Sequence, residues 1–187
     1  MTVFRHILLV DAGSTKTEWR LIGRKGETKL EIVTPGINAL ITSDEQIAEI
    51  FVGENAHLQY YELEETHTHN RRFCNTYVRQ AAYSTTTIDS ITLQNGFTRN
   101  RTDVLLDGEY SEVNMYGGVI ADNLQHVDNN TLIDHKAPNC TSNEMYKYVL
   151  DGKATGAFAG RILVREGAQK TASKETKGSK RQTRMVL

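Results

Sequence analysis

The chain has 187 residues, 39% hydrophobic and 24% charged, which places it among soluble globular proteins and leaves room for one buried domain with an appendage. A formal net charge of -1 excludes any general attraction to nucleic acid or to an anionic membrane. Two cysteines, Cys74 and Cys140, are too few for a disulfide framework, and no apolar run approaches the roughly 18–20 residues that span a bilayer.

The N-terminal FRHILLV is a short apolar run without a cleavage site, so it reads as a first strand and not as a signal peptide. Cytoplasmic localisation is therefore expected. The N-x-Thr sequons opened by Asn100, Asn129 and Asn139 then carry no meaning, because glycosylation requires secretion.

Residues 7–10 form a continuous apolar run, Asp11 opens a hydroxyl-rich turn, and an apolar strand resumes over residues 19–22. Asp, Gly and Ser favour such a hairpin connection for conformational reasons alone. A carboxylate at a strand end followed by small residues with free N–H groups also suits a magnesium–phosphate unit. The pattern DAGSTKT followed by TPGIN at residues 34–38 resembles the start of the BadF/BcrA-type ATPases and N-acetylglucosamine kinases, of the sugar-kinase/actin/Hsp70 superfamily. That resemblance implies a first phosphate loop made by Asp11, Gly13, Ser14, Thr15, Lys16 and Thr17, with Asn38 on the sugar side. It covers residues 1–50 only, and no second turn of that kind occurs downstream. Working ATP–magnesium chemistry is not expected, and the phosphate loop reads as a vestige.

Residues 43–51, with Ser43 as N-cap and Gln46 completing a capping box, predict a short amphipathic helix. No Gly/Pro/Ser-rich hinge separates it from the residues after it.

From residue 51 onward the texture changes to short alternating runs: HLQYYELEE, NTYVRQ, TTIDSITLQNG, RTDVLLDG, EVNMYGGVIAD, TLIDH, MYKYVL and AFAGRILV. Gly or Asn-Gly punctuates them, which allows a sandwich, an open meander or a solenoid. A weak repeat of one strand pair per ~20 residues leans toward the solenoid. Thr141 to Glu144 offers a second capping box, but Tyr146, Tyr148 and Val149 favour a strand there.

The segments DHKAPNCTSNEMYKYVLDGKATGAFAGRILV and GAQKT, with VGENAHLQYYELEE, TYVRQ, ITLQNGFTRN and YGGVIAD before them, resemble the SufB/SufD family and its SufD branch in particular. These are scaffold proteins of Suf iron–sulfur cluster assembly. The resemblance implies a right-handed parallel β-helix and, as partners, SufB and the ATPase SufC. It also implies a transient iron–sulfur cluster held jointly with SufB. The family's later D-D-V-x-C-S-H-G-type segment and its C-terminal helical region do not occur in this chain, so the SufC contact is doubtful and an incomplete scaffold is expected.

Few residues invite chemistry. Cys140 lies five residues after His135, and thiolate with imidazole suits iron, zinc or sulfur transfer, although two ligands do not make a site. A small buried cysteine packing a coil is the plainer reading. Cys74 reads as structural. His67 and His69 read as part of an exposed loop. His126 and His135 flank an Asn-rich turn and read as hydrogen-bonding groups between coils. The lysines and arginines from Lys170 onward read as a solvated, mobile basic end rather than a nucleic-acid arm.

The expected organisation is thus a kinase-like hairpin and short helix over residues 1–50, a truncated SufD-like β-helix over 51–176 and a basic tail over 177–187. The expected function is a non-enzymatic scaffold piece for iron–sulfur assembly. An incomplete ATP-dependent sugar kinase or ATPase is the alternative, and a chimeric chain without function is the third reading. Cut coil faces predict self-association.

Overall fold

A computed structural model describes residues 6–12, 16–23, 28–35, 45–65, 71–93 and 96–181. Every regular element among them is a strand. β1 (His6–Ala12), β2 (Lys16–Gly23) and β3 (Thr28–Pro35) form an antiparallel meander in the order β1-β2-β3. The two strands expected on either side of Asp11 are present, with Val10 opposite Trp19 and Asp11, within β1, opposite Glu18; the connection between them lies outside the described residues.

The remaining strands are β4 (Glu45–Val52), β5 (His57–Glu65), β6 (Arg71–Gln80), β7 (Thr85–Leu93), β8 (Phe97–Leu106), β9 (Glu112–Ala121), β10 (His126–His135), β11 (Thr141–Leu150), β12 (Thr155–Val164) and β13 (Ala172–Arg181). They alternate between two five-stranded sheets. One runs β12-β10-β8-β6-β4 and the other β13-β11-β9-β7-β5, with every pairing parallel. This is the parallel β-solenoid implied by the resemblance, built of five strand pairs stacked on one another.

Two expectations are corrected by it. The helix predicted over residues 43–51 is absent: β4 begins at Glu45 and pairs with β6, Ile50 opposite Val78. Isoleucine, phenylalanine and valine gain more from adding a strand to an existing sheet than a short isolated helix gains from its cap. The end of the chain is likewise not a free basic arm as far as Arg181, because β13 pairs with β11 in parallel from Ala172 to Arg181. The repeat is also longer than ~20 residues, since partners in adjacent coils such as Asn100 and Asn129, or His126 and Thr155, stand 29 apart.

Alternation sorts the side chains. In β10 and β11 every second residue is buried through most of the strand, as period-two geometry requires of a sheet with one closed face. Val78, Ile88, Val104, Leu106, Val113, Met115 and Ile133 make one apolar cluster. Val119, Val127, Tyr146, Tyr148 and Leu150 make a second.

One corner recurs in every coil. Asn55, Tyr83, Tyr110, Asn139 and Lys170 each sit two residues before a strand of the second sheet, with φ between 57° and 60°. The residue after each turns back inward. From that position Ser84 Oγ donates to the Ala81 carbonyl at 2.6 Å, Ser111 Oγ to Gly108 at 2.9 Å and Thr171 Oγ1 to Ala168 at 3.1 Å. Backbone bonds tie successive corners together: Thr85 N to Ala56 O, Glu112 N to Ser84 O, Thr141 N to Ser111 O and Ala172 N to Cys140 O.

Candidate functional site: the sealed polar interior

The interior of the solenoid is not uniformly apolar. Alternation turns Arg72, Cys74 and Thr76 of β6 to the same side, and Tyr60, Glu62 and Glu64 of β5 share a face of their own strand. Arg72 Nη2 lies 2.6 Å from Glu62 Oε1, and Arg72 Nη1 lies 3.1 Å from Glu64 Oε2. Glu64 also accepts from Thr92 Oγ1 at 3.2 Å and from Thr98 Oγ1. Burial works against the guanidinium's charge, but Glu62 and Glu64 more than offset it and hold its pKa above the usual arginine range. A charge so enclosed persists only because it is paired and hydrogen-bonded.

Cys74 belongs to this group. Its Sγ donates toward Glu62 Oε1 at 3.6 Å and lies 3.9 Å from Thr76 Oγ1. Burial, reinforced by the Glu62 carboxylate, pushes the thiol up to about 12. Such a sulfur is a protonated, inert group at neutral pH rather than a nucleophile.

From Arg72 a file of hydrogen bonds continues along the solenoid. Arg72 Nη1 donates to Asn100 Oδ1 at 3.4 Å, and Asn100 Nδ2 to Asn129 Oδ1 at 3.1 Å. Asn129 Nδ2 donates to Tyr148 Oη at 2.7 Å, and Tyr148 Oη to the Ala157 carbonyl at 3.0 Å. The file crosses from β6 to β12. Arrangements of this kind fix the register of stacked coils, because a slip of one residue would strand every member without a partner in a low-dielectric interior.

A second polar group surrounds the two residues singled out for metal or sulfur chemistry. Cys140 and His135 are both fully buried. Cys140 occupies the inward corner position that Ser84, Ser111 and Thr171 fill in other coils. Its Sγ lies 3.2 Å from Ser111 Oγ and 3.3 Å from the Gly108 carbonyl of the preceding coil, and 3.5 Å from the Pro138 carbonyl, whereas the corner hydroxyls each donate to the carbonyl three residues back. His135 Nε2 lies 3.0 Å from Ser142 Oγ and 3.2 Å from Ser173 Oγ, while Nδ1 is buried without a hydrogen-bond partner. Burial, only partly countered by Asp134, lowers the His135 pKa, so the ring is neutral at pH 7. Both side chains meet neighbours from adjacent coils.

The other candidate residues divide by location. Asp11 lies in β1, and Lys16 and Thr17 begin β2. Gly13, Ser14, Thr15 and Asn38 lie outside the described residues, as do His67 and His69. His126 makes an inter-coil bond to Thr155 at 2.6 Å and stacks on Phe97 at 5.0 Å, but the Asn-rich segment after it is part of β10 and not a turn. No group of three or more His, Cys, Asp or Glu side chains converges as a metal site among the described residues.

Sequence reading missed Glu62, Glu64, Arg72, Asn100, Asn129 and Tyr148. Spacing of two within ELE could have shown that Glu62 and Glu64 share a face. Nothing in one strand tells that this face is the inside, or that Arg72 lies beside it.

Fold and interior together define a two-sheeted parallel β-solenoid with an inward-facing, largely buried polar file. The family described as SUF system FeS cluster assembly, SufBD core domain, matches residues 28–179. The match covers well over half of the chain, and the protein belongs to the SufB/SufD family. Comparison with curated proteins returns no match. No helix among the described residues is long and apolar enough to cross a membrane.

Proposed function

We propose that this chain is a non-enzymatic scaffold component of Suf iron–sulfur cluster assembly, of the SufD type, which works against SufB and, less directly, SufC. The observation that carries this reading is the SufBD core match over residues 28–179, lying on a solenoid that turns a polar file from Arg72 to Tyr148 inward. A body of this kind offers rigid edges and faces to partner proteins rather than a solvent-open reaction centre. The cluster is cargo, formed jointly with SufB. The body in this reading is the solenoid from β4 to β13, wider at both ends than the 51–176 expected from the sequence, with the residues before β4 an N-terminal segment.

Any metal or sulfur role for Cys140 and His135 belongs to the same proposal. Both are sealed in the fold, so iron or a persulfide would reach the thiol only after the corner opens. Two free, buried thiols fit a reducing cytoplasmic setting. The matched family is not a kinase family, and no observation favours ATP chemistry at Asp11.

The test is anaerobic co-purification of the full chain with SufB and SufC, alongside a version lacking residues 1–35. Retention of SufB by both versions supports the scaffold reading and assigns the contact to the solenoid. Failure to hold either partner would overturn it.

A further inference from the structure

The outer face of the second sheet carries an apolar field. Glu64, Thr92, Val119 and Tyr148 are buried, so the period of two turns their strand neighbours outward. The register sets Leu63, Ile91 and Lys147 in one row, Tyr61 and Asp89 in the row before it, and Ile120 and Val149 in the row after. The apolar members are all large and open to water, from 47% exposed at Ile91 to 66% at Leu63, with Tyr61, Ile120 and Val149 between.

Those five side chains leave roughly 500 Å² open to water, toward the upper end of the largest patch that a monomer shows. Burying the patch on two copies at once removes about 1,000 Å², the least that a specific interface needs. Charge is placed to suit such a pairing. Among the described side chains of the three rows, the charged ones are Asp89 of β7 and Lys147 of β11, one on either side of β9. Neither makes an ion pair with another described residue.

We propose that this face is the contact between two copies of the chain, packed sheet on sheet about a twofold axis that runs along β9. Sheets stack face to face about 10 Å apart, and such an axis sets β7 of one copy across from β11 of the other. Asp89 then faces Lys147 of the second copy one row away, within reach of a lysine stem, and symmetry makes the pair twice. An axis across the strands would instead bring Asp89 near Asp89 and Lys147 near Lys147. The contact uses each patch once and so closes at two copies, unlike the edges of β12 and β13, which can template further strands. An interface of this size is weak, dissociating on the order of tens of micromolar. It is independent of the scaffold reading, and its failure would leave that reading standing.

The experiment is sedimentation equilibrium of the full chain across a wide range of concentration. A closed monomer–dimer equilibrium is expected, weakened about tenfold or more by Ile91→Lys or Ile120→Lys at the centre of the patch. Leu124→Lys, at an exposed leucine on the turn between β9 and β10, leaves it unchanged, and circular dichroism checks that each variant keeps its strands. Asp89→Lys and Lys147→Asp each weaken the dimer, and the two changes together restore it, a rescue that edge-to-edge pairing would not give. A monomer at every concentration, or association that Ile91→Lys and Ile120→Lys leave untouched, would overturn the proposal. If the chain is a monomer and Ile91→Lys loses SufB in co-purification, the face belongs to that partner and not to a second copy.

Discussion

At Cys74 an ordinary thiol becomes a sensor of the fold's integrity. Burial and the neighbouring Glu62 push its pKa up to about 12, and burial likewise pushes the phenols of Tyr60, Tyr146 and Tyr148 above the usual tyrosine range. Above about pH 8.5 for the thiol and about 10 for the phenols, the unfolded chain releases protons that the folded chain retains. Stability is fully present below those values and falls as pH rises, by roughly 1.4 kcal/mol per pH unit for each group once its unfolded value is passed. Urea denaturation midpoints at pH 8, 9.5 and 11 should therefore decline steeply; a flat profile would show that these groups are not sealed. At His135 the sign reverses, because a lowered pKa gives stability that is lost as pH falls below the ordinary imidazole value. Cys140 illustrates how residue type alone misleads. A cysteine near a histidine invites a metal, yet its column-mates are Ser84, Ser111 and Thr171, and its sulfur is taken up by Ser111 Oγ and the Gly108 carbonyl of the coil before.

Elements hold together here by matching a small residue in one coil to a large one in the next. Gly117 of β9 stands opposite Tyr146 of β11, and a Cβ at Gly117 would overlap the Tyr146 ring. Tyr146 also packs on Phe158 of β12, ring centroids 4.6 Å apart, so it has little freedom to retreat. Gly117→Ala is expected to cost on the order of 2–3 kcal/mol through overpacking, whereas Gly118→Ala, with nothing within 4 Å of the added carbon, should cost well under about 1 kcal/mol beyond the glycine effect. Equal denaturation midpoints for the two variants would refute the packing argument. The adjacent glycines look identical in sequence, and only the inward turn of one distinguishes them. Strand existence from β5 to β12 was legible because alternation and turn residues repeat. The β4 segment was not, since EQIAEIFV satisfies a helical stripe as well as a strand, and its pairing with β6 decided the matter.

For the molecule as a whole, the ends of the two sheets are the weak points. β1 of the antiparallel meander lies against β5 of the first coil, so the N-terminal segment shields the β5 edge of that end. At the other end β12 and β13 pair on one side only, and an unpaired edge is a template for another chain. Removing residues 1–35 uncovers the first coil as well. Sedimentation velocity at matched concentration should then show a shift from smaller species to larger ones relative to the full chain. Identical distributions would mean that the meander does not protect the edge.

The sequence by itself determined that the chain is mostly short strands with a period of two, that it repeats, and that its strongest likeness is to the SufB/SufD family. Those properties are written locally, in alternation and turn residues, and therefore survive without knowledge of contacts. Tertiary structure decided what lies inside. A strand's two faces are chemically labelled but not oriented until its neighbours are known, so the meeting of Glu62 and Glu64 with Arg72, and the file through Asn100, Asn129 and Tyr148, arise only from coils stacking at intervals near 29 residues. The same stacking sets Arg101, Asn130 and Ala159, far apart in sequence, side by side, because residues from separate coils become neighbours across a parallel sheet.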